Sequence, residues 1–206
     1  MALVKYNDNS ISAVTSTGLA EGSLVLIKTL TASSSASLSF VDGSNDVVLD
    51  STYPIYKFEF INMHPATDGV NFQFNMSTDG GSNYNVTKTT TTFEAYHNES
   101  GSPSSLYYDG GADLAQGTGN QELFGTLGND ADQNLTGKMF LFNPSSTTFV
   151  KHFMIINQGN HFGDYSVNDY IAGYGNTTSA INAIKFQMSS GNIDSGTIKL
   201  YGIKDS

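Results

Sequence analysis

The chain of 206 residues contains no cysteine, no tryptophan and no arginine. Without cysteine it can form neither disulfide bonds nor thiolate metal sites, so packing and hydrogen bonds must stabilise it. All nine basic residues are lysine, against 19 acidic residues, and the formal net charge is −10. Because nucleic-acid binding needs basic patches, and arginine is the usual reader of bases, we expect no nucleic-acid partner. The same charge disfavours binding to an anionic membrane surface.

Long apolar segments are also missing. No run reaches the roughly 18 apolar residues that a membrane-spanning helix needs, so we expect no membrane partner. The first residues, MALVKYNDNSISAV, lack the charged segment and following apolar run of a secretory signal, and no such signal is expected.

Aromatic and small polar residues dominate what is present. The chain has 13 Phe and 11 Tyr, while charged residues make up only 14%. Ser, Thr, Asn and Gly must therefore supply most of the polar surface, which is typical of β-rich extracellular, viral and fibrous proteins. The length suits a single all-β domain.

Residues 55–77 carry the clearest structural signal, because apolar and polar side chains alternate there in two runs. Such alternation places each set on one face of a strand. Pro65 and the Asp68-Gly69 dipeptide between the runs favour a turn. We therefore predict two neighbouring antiparallel strands that are joined by a short loop and point their aromatic faces at a shared core. The apolar positions are Tyr56, Phe58 and Phe60 in the first run, and Val70, Phe72, Phe74 and Met76 in the second.

About ten strand-like runs and no long helix predict an all-β fold, a jelly-roll-like antiparallel β-sandwich with long loops and at most short helical turns. Residues 1–23 are expected to form an N-terminal arm or edge segment. Residues 24–206 are expected to form a single β-sandwich domain with a loop-rich insertion at about 97–137. Within that insertion, residues 111–116 and 120–127 could hold a short helical turn.

Four further expectations concern individual strands. Residues 86–93, VTKTTTTF, read as an exposed or edge strand, because their threonines have no apolar neighbour. Residues 149–156, FVKHFMII, read as a central strand, with His152 a core or boundary histidine. The runs at 181–188 and 197–203 read as a terminal hairpin.

Three segments resemble structural proteins encoded by tailed bacteriophages, especially phages of marine bacteria. They are INAIKFQMSSGNIDSGTIKLYGI at 181–203, the central segment FEFINMHPATDGVNFQFNMSTDGGSNYN that begins at Phe58, and LVLIKTLTASSSASLSFVDG at 24–43. Together they cover about a third of the chain. The resemblance implies a β-rich component of the virion, and it offers no catalytic motif to carry over.

No convincing metal or catalytic site is visible, so we expect no cofactor and no enzymatic activity. The D-x-D-x-N pattern at Asp130 lacks the acidic twelfth residue of an EF-hand loop. A looser calcium site using Asp109, Asp113 or Asp130 remains an alternative to a solvated acidic loop. Serine nucleophile motifs of the G-x-S-x-G type are absent, and the acidic residues are scattered mainly through loops.

Aromatic residues in or beside loops are the candidate interface residues, since exposed rings with Asn and Asp neighbours suit a protein interface or stacking on sugars. The alternative is that they fold back over the ends of the sandwich. An N-terminal arm that is ordered by a neighbouring subunit would add its first apolar residues. The candidates are Leu3, Val4, Tyr107, Tyr108, His161, Phe162, Tyr165, Tyr170 and Tyr174.

These observations predict a non-catalytic virion protein that is present in many copies on the capsid exterior or the tail. Its expected partners are other virion proteins and copies of itself. The alternative is a carbohydrate-binding module of a tail fibre or spike that recognises a host-surface glycan. A tail depolymerase is the third hypothesis.

Overall fold

Antiparallel strands account for the regular structure of residues 23–204, the part of the chain that the computed structural model describes. These residues form twelve strands and contain no helix, which confirms the all-β prediction. The expected arm at 1–23, with Leu3 and Val4, lies almost entirely outside the described residues. The strands are β1 (Leu24–Ser35), β2 (Leu38–Val41), β3 (Ile55–Pro65), β4 (Val70–Ser77), β5 (Lys88–Asn98), β6 (Ser104–Tyr108), β7 (Gln121–Leu127), β8 (Leu135–Phe142), β9 (Lys151–His161), β10 (Tyr165–Gly175), β11 (Ala183–Met188) and β12 (Ile193–Ile203).

Eight strands form a jelly-roll frame of two facing sheets. The first sheet has the order β1-β12-β3-β8, and the second has the order β2-β11-β4-β7. Four further strands extend the first sheet beyond β8 in the order β9-β10-β5-β6, and we call them the extension. A single pair, Leu127 with His161, joins β7 to β9. The order of the eight frame strands is that of a double-sheet jelly roll, as the sequence predicts.

Strands β3 and β4 share a core but do not pair with each other. β3 pairs with β12 and β8, whereas β4 pairs with β11 and β7. The two strands face each other across the sandwich, where the ring centroids of Phe60 and Phe72 lie 5.4 Å apart. The prediction of a shared aromatic core is therefore confirmed, and the prediction that the two strands are neighbours in one sheet is wrong.

The centre of the core is an aromatic cluster around Phe186 of β11. The Phe186 ring is fully buried. Rings from both sheets surround it, so this cluster ties the two layers together. Its centroid lies 5.2–6.3 Å from those of Phe40, Phe58, Phe60, Phe72 and Phe74.

The stretch at 97–137 is less irregular than expected. It contains β6 and β7 and the first residues of β8. Residues Gln121–Leu127 form the frame strand β7, with Leu123 and Phe124 buried, so the short helical turn expected at 120–127 is wrong. The segment that is inserted between frame strands β4 and β7 carries β5 and β6 and thus begins before residue 97.

Two assignments of strand position also change. Strand β5 lies between β10 and β6, with Thr90 and Thr92 buried, so it is an interior strand. Strands β11 and β12 belong to different sheets and do not form a hairpin. Strand β9 lies between β8 and β10 as predicted, but His152 is exposed on its outer face.

Candidate ligand cleft and exposed sheet face

The extension creates a cleft because the second sheet ends at β7, while the first continues through β10, β5 and β6. On the inner face of these strands lies a cavity of about 230 Å³. Strands β5, β6 and β10 and the last residue of β9 provide its walls. The residues that line it are Glu94, Tyr96, Tyr107, His161, Tyr165 and Val167.

Strand register brings the cleft residues together. Alternate residues share one face of a strand, so Glu94 and Tyr96 point the same way from β5. Glu94 lies opposite Tyr107 of β6 on one side and Asp169 of β10 on the other. Tyr96 lies opposite Val167 of β10. Glu94 thus has a tyrosine and a second carboxylate as its two cross-strand neighbours.

Perpendicular rings form the walls of the cleft. The centroid of Tyr96 lies 6.0 Å from that of Tyr107 and 5.6 Å from that of Tyr165, with interplanar angles of 76° and 81°. The Tyr107 hydroxyl donates a hydrogen bond to Glu94 Oε1 over 3.1 Å. Burial raises the pKa of Glu94, an effect that this hydrogen bond opposes. The carboxylate is therefore held at the base of the aromatic walls by one hydroxyl.

His161 closes the cleft as a neutral imidazole. The Gly163 N–H donates to His161 Nδ1 over 2.9 Å, so this nitrogen acts as the acceptor and the proton resides on Nε2. Burial lowers the pKa of His161, against the opposing effect of Asp68. Phe162 stacks on the imidazole, with ring centroids 4.5 Å apart. The wall at this end of the cleft is therefore aromatic and uncharged near neutral pH.

A narrow acidic cavity lies next to the cleft and shares Glu94 with it. Its lining also includes Asp109, Glu122 and Asp169, and it is too narrow to admit a water molecule. Burial and the neighbouring carboxylates raise the pKa of Asp169 to about 8. Burial, followed by Asp109 and Glu94, raises the pKa of Glu122 to about 7, although Asn71 donates a hydrogen bond to that carboxylate. Ionised carboxylates would repel one another in this cavity. Asp169 and Glu122 therefore keep their protons to a higher pH than isolated carboxyl groups do.

Several polar atoms at this cavity and beside it are left without partners. Among residues 23–204, no group hydrogen-bonds to Asp169 Oδ2 or to Thr92 Oγ1, and both residues line the cavity with exposed fractions of 3%. Asn157, opposite Asp169 on β9, likewise has an unpaired Oδ1 within the described chain. Buried polar atoms are normally paired, so this strip of sheet is unusual.

The four carboxylates do not form a metal site. Within the described range, no group of three or more His, Asp or Glu side chains is arranged to hold a metal ion. Asp130, one of the sequence candidates for calcium, lies in the β7–β8 turn, where its carbonyl oxygen is 3.3 Å from His64 Nε2. Asp109 and Asp113 follow β6 instead.

The outer face of the extension is a second notable surface, because it exposes apolar side chains. Phe93 and Tyr170 stack across β5 and β10, with centroids 5.0 Å apart and planes within 2°. Tyr108 lies beside Phe93 on β6, and Ile156 lies beside Tyr170 on β9. Large exposed apolar patches mark interaction sites more often than isolated apolar residues do. Other exposed side chains on this face are Leu106 and Met154.

The structure divides the predicted interface residues between these two surfaces. Tyr107, His161 and Tyr165 come together in the cleft, with Phe162 stacked behind His161. Tyr108, Tyr170 and Tyr174 lie on the opposite, outer face, where Tyr174 is next to His152. Leu3 and Val4 lie outside the described residues.

Sequence reasoning singled out Asp109, as a possible calcium ligand, but missed the other acidic members of the site, Glu94, Glu122 and Asp169. Glu94 and Tyr96 alternate with Phe93 and Ala95 within FEAYH, which is a strand-like local signal. Asp169 lies in DYIAGY, where alternation indicates a face but not a neighbour. Their convergence depends on the pairing of β5 with β10, which joins segments 75 residues apart in sequence (Glu94 to Asp169).

Comparison with protein-family models, curated proteins and solved structures finds no match for this chain. No helix in the described region is long and apolar enough to cross a membrane.

Proposed function

We propose that this chain is a non-catalytic structural protein of a tailed-bacteriophage virion, present in many copies on the capsid exterior or the tail. Support comes from the resemblance of its three segments to phage structural proteins. The jelly-roll frame is consistent with this role, because viral capsid proteins commonly use that architecture. Its work would be to hold copies of itself and other virion proteins together.

The exposed apolar face of the extension is the observation that carries the proposal, and we assign a second copy of the chain as its occupant. The Phe93–Tyr170 pair forms the apolar centre. At the β6 end, the Tyr108 hydroxyl donates a hydrogen bond to the Asp113 carboxylate. The same sheet carries three lysines and one glutamate at its other end, Lys57, Lys138, Lys199 and Glu59.

This arrangement of charge is self-complementary. Strands β6 and β3 are separated by five strand spacings of about 4.8 Å, or about 24 Å. In a two-fold dimer whose axis runs between β9 and β10, Tyr170 and Ile156 of one copy would meet those of the other, and the Asp113 carboxylate of each copy would lie against the lysine-rich end of the other. Electrostatic complementarity of this kind fixes register and favours the correct partner.

Sedimentation velocity of the full chain tests this docking. Tyr170→Asp would place a charge at the apolar centre and should convert an associating protein into a monomer. Phe149→Asp is the matched control, because Phe149 is 70% exposed in the β8–β9 loop, outside the strands. A monomeric parent protein, or association that Tyr170→Asp leaves intact, would show that copies do not dock through this face.

The virion assignment has its own test. Quantitative mass spectrometry of purified particles, produced by the phage that encodes this chain, should detect it in many copies per particle. Its absence from intact particles would exclude a structural role in the virion.

A carbohydrate-binding module of a tail fibre or spike is the second candidate, and the aromatic cleft favours it. Tyrosine rings beside a carboxylate suit stacking on a sugar and hydrogen bonding to its hydroxyls. A glycan array with the parent protein and Tyr107→Ala separates this candidate from the first. A depolymerase would instead release reducing ends from host polysaccharide, and it would lose that activity in Asp169→Asn.

A further inference from the structure

The acidic cavity and the cleft lack a counter-charge. Glu94, Asp109, Glu122 and Asp169 surround the two spaces, and no lysine is among the described residues that line either of them. Like charges directly opposite each other on paired strands are destabilising, as for Glu94 and Asp169. A site of this kind is more stable when a cation is nearby.

Asp169, directly opposite Glu94, is a second buried carboxylate without a counter-charge. Its side chain is 3% exposed, it lines the acidic cavity, and its Oδ2 finds no hydrogen-bond donor in residues 23–204. Leaving a buried carboxylate oxygen unpaired is costly. The raised pKa values of Asp169 and Glu122 have the same cause, because protons supply the positive charge that the site otherwise lacks.

The walls of the cleft determine which kind of cation fits. A calcium ion needs six to eight oxygen ligands, and the described carboxylates are not grouped to hold a metal. The faces of Tyr rings attract organic cations instead, with an energy that grows as water is excluded. Tyr96, Tyr107 and Tyr165 line the same cleft as Glu94 and pack at steep angles to one another.

We propose that the cleft binds an organic ammonium group, with the charged nitrogen on the Glu94 carboxylate and the attached carbon atoms between the rings of Tyr96, Tyr107 and Tyr165. Asp169, Asp109 and Glu122 strengthen this binding at longer range through their negative field. The ammonium group can come from an amino sugar or from a lysine side chain of a neighbouring subunit. The inference stands on the cleft itself and holds for either proposed function.

Isothermal titration of the full chain at pH 8 tests the ligand class with matched pairs of probes. Glucosamine should bind and glucose should not, if the source is an amino sugar. Nα-acetyl-lysine amide should bind and its Nε-acetylated form should not, if the source is a lysine. Binding of either amine supports the inference, and the tighter of the two identifies the source.

Two variants locate the site. Glu94→Gln should weaken amine binding by about tenfold, because the amide oxygen can still accept a hydrogen bond from the ammonium but the negative charge is lost. It should also fold normally, because it removes the repulsion with Asp169. Glu99→Gln, at an exposed carboxylate just beyond β5, should leave the affinity unchanged.

Proton release provides a readout that a purely structural role would not change. An ammonium beside Glu94 favours the ionised form of Asp169, so binding near pH 7 should release protons and give a heat that depends on the buffer. Affinity should also fall as the pH is lowered from 8 to 6. The inference is overturned if neither amine binds, if Glu94→Gln leaves binding intact, or if calcium binds in preference to both amines.

Discussion

Glu94 and Asp169 lie directly opposite each other on β5 and β10, so two carboxylates form one cross-strand pair on the inner face of the extension. The neighbouring β9 residue in that row is Asn157, whose Oδ1 lacks a partner in the described chain. Polar groups therefore run across a strip of the extension that is buried against β7 of the frame. This relationship determines how the protein should respond to pH.

Stability should decrease as the pH rises from about 5 to about 8. The pKa of Asp169 is raised to about 8 and that of Glu122 to about 7, both above their unfolded values. In this window the folded protein holds protons that the unfolded chain has released, so raising the pH favours unfolding. The melting temperature, measured by scanning calorimetry across the window, should fall.

Asp169→Asn is the variant that checks the cause of this pH dependence. It cannot lose a proton, so its melting temperature should depend much less on pH between 5 and 8 than that of the parent. Glu99→Gln, which replaces an exposed carboxylate, should retain the slope of the parent. An equal slope in Asp169→Asn and the parent would mean that Asp169 is not the group responsible.

Two threonines on one face of β5 should respond oppositely to the same substitution. Thr92 Oγ1 is buried without a partner in the described structure, so Thr92→Val should stabilise the protein by about 1 kcal/mol. Thr90 Oγ1 donates to Gln121 Oε1 over 2.7 Å and accepts from the Leu114 N–H over 2.8 Å. Thr90→Val leaves both groups unpaired and should destabilise it by about 1–3 kcal/mol.

Equilibrium urea denaturation of the two valine variants measures these free energies at matched burial, since Thr90 and Thr92 are 4% and 3% exposed. If both variants are destabilised to a similar degree, the Thr92 hydroxyl has a partner in solution.

Removal of the central ring of the core, that of Phe186, should destabilise the protein severely. Phe186→Ala empties the site that five other phenylalanines contact, and we expect a loss of about 3–5 kcal/mol. Phe149→Ala provides the matched control, because its ring is 70% exposed and its removal should change the stability by less than about 0.5 kcal/mol. Guanidinium titration followed by tyrosine fluorescence compares the two, and similar losses would place the core elsewhere.

The faces of the strands could be predicted from the sequence because alternation is a local property. Phe58, Phe60, Phe72 and Phe74 are all buried, as their spacing indicates. The pairing of strands could not be predicted in the same way, because the sequence of a strand does not identify the strand that it pairs with. A short connection such as Pro65 to Gly69 can join neighbours in one sheet or, as here, strands that face each other across the core.

The burial of a polar strand is the other feature that could not be predicted from the sequence. The threonines of KTTTTF read as an exposed edge, yet the side chains of Thr90 and Thr92 face inward and β6 occupies the edge. Tyr107 could be selected as an aromatic candidate, but its position beside Glu94 follows from the pairing of β5 with β6. The carboxylates of the site come from distant parts of the chain, so no local sequence motif identifies them.

The cleft has a further property that follows from how the extension leaves the frame. Lys88 and Gly117 exchange backbone hydrogen bonds of 2.8 and 3.0 Å, and the Ile181 N–H donates to the Pro144 carbonyl over 2.9 Å. These hydrogen bonds bring together the ends of two contiguous segments, 88–117 and 144–181. Every residue that lines the cleft falls within one of the two segments. Diversification confined to these segments, by natural variation or in a designed library, would change what the protein recognises while the eight-stranded frame keeps its own sequence, much as hypervariable loops diversify on a constant scaffold.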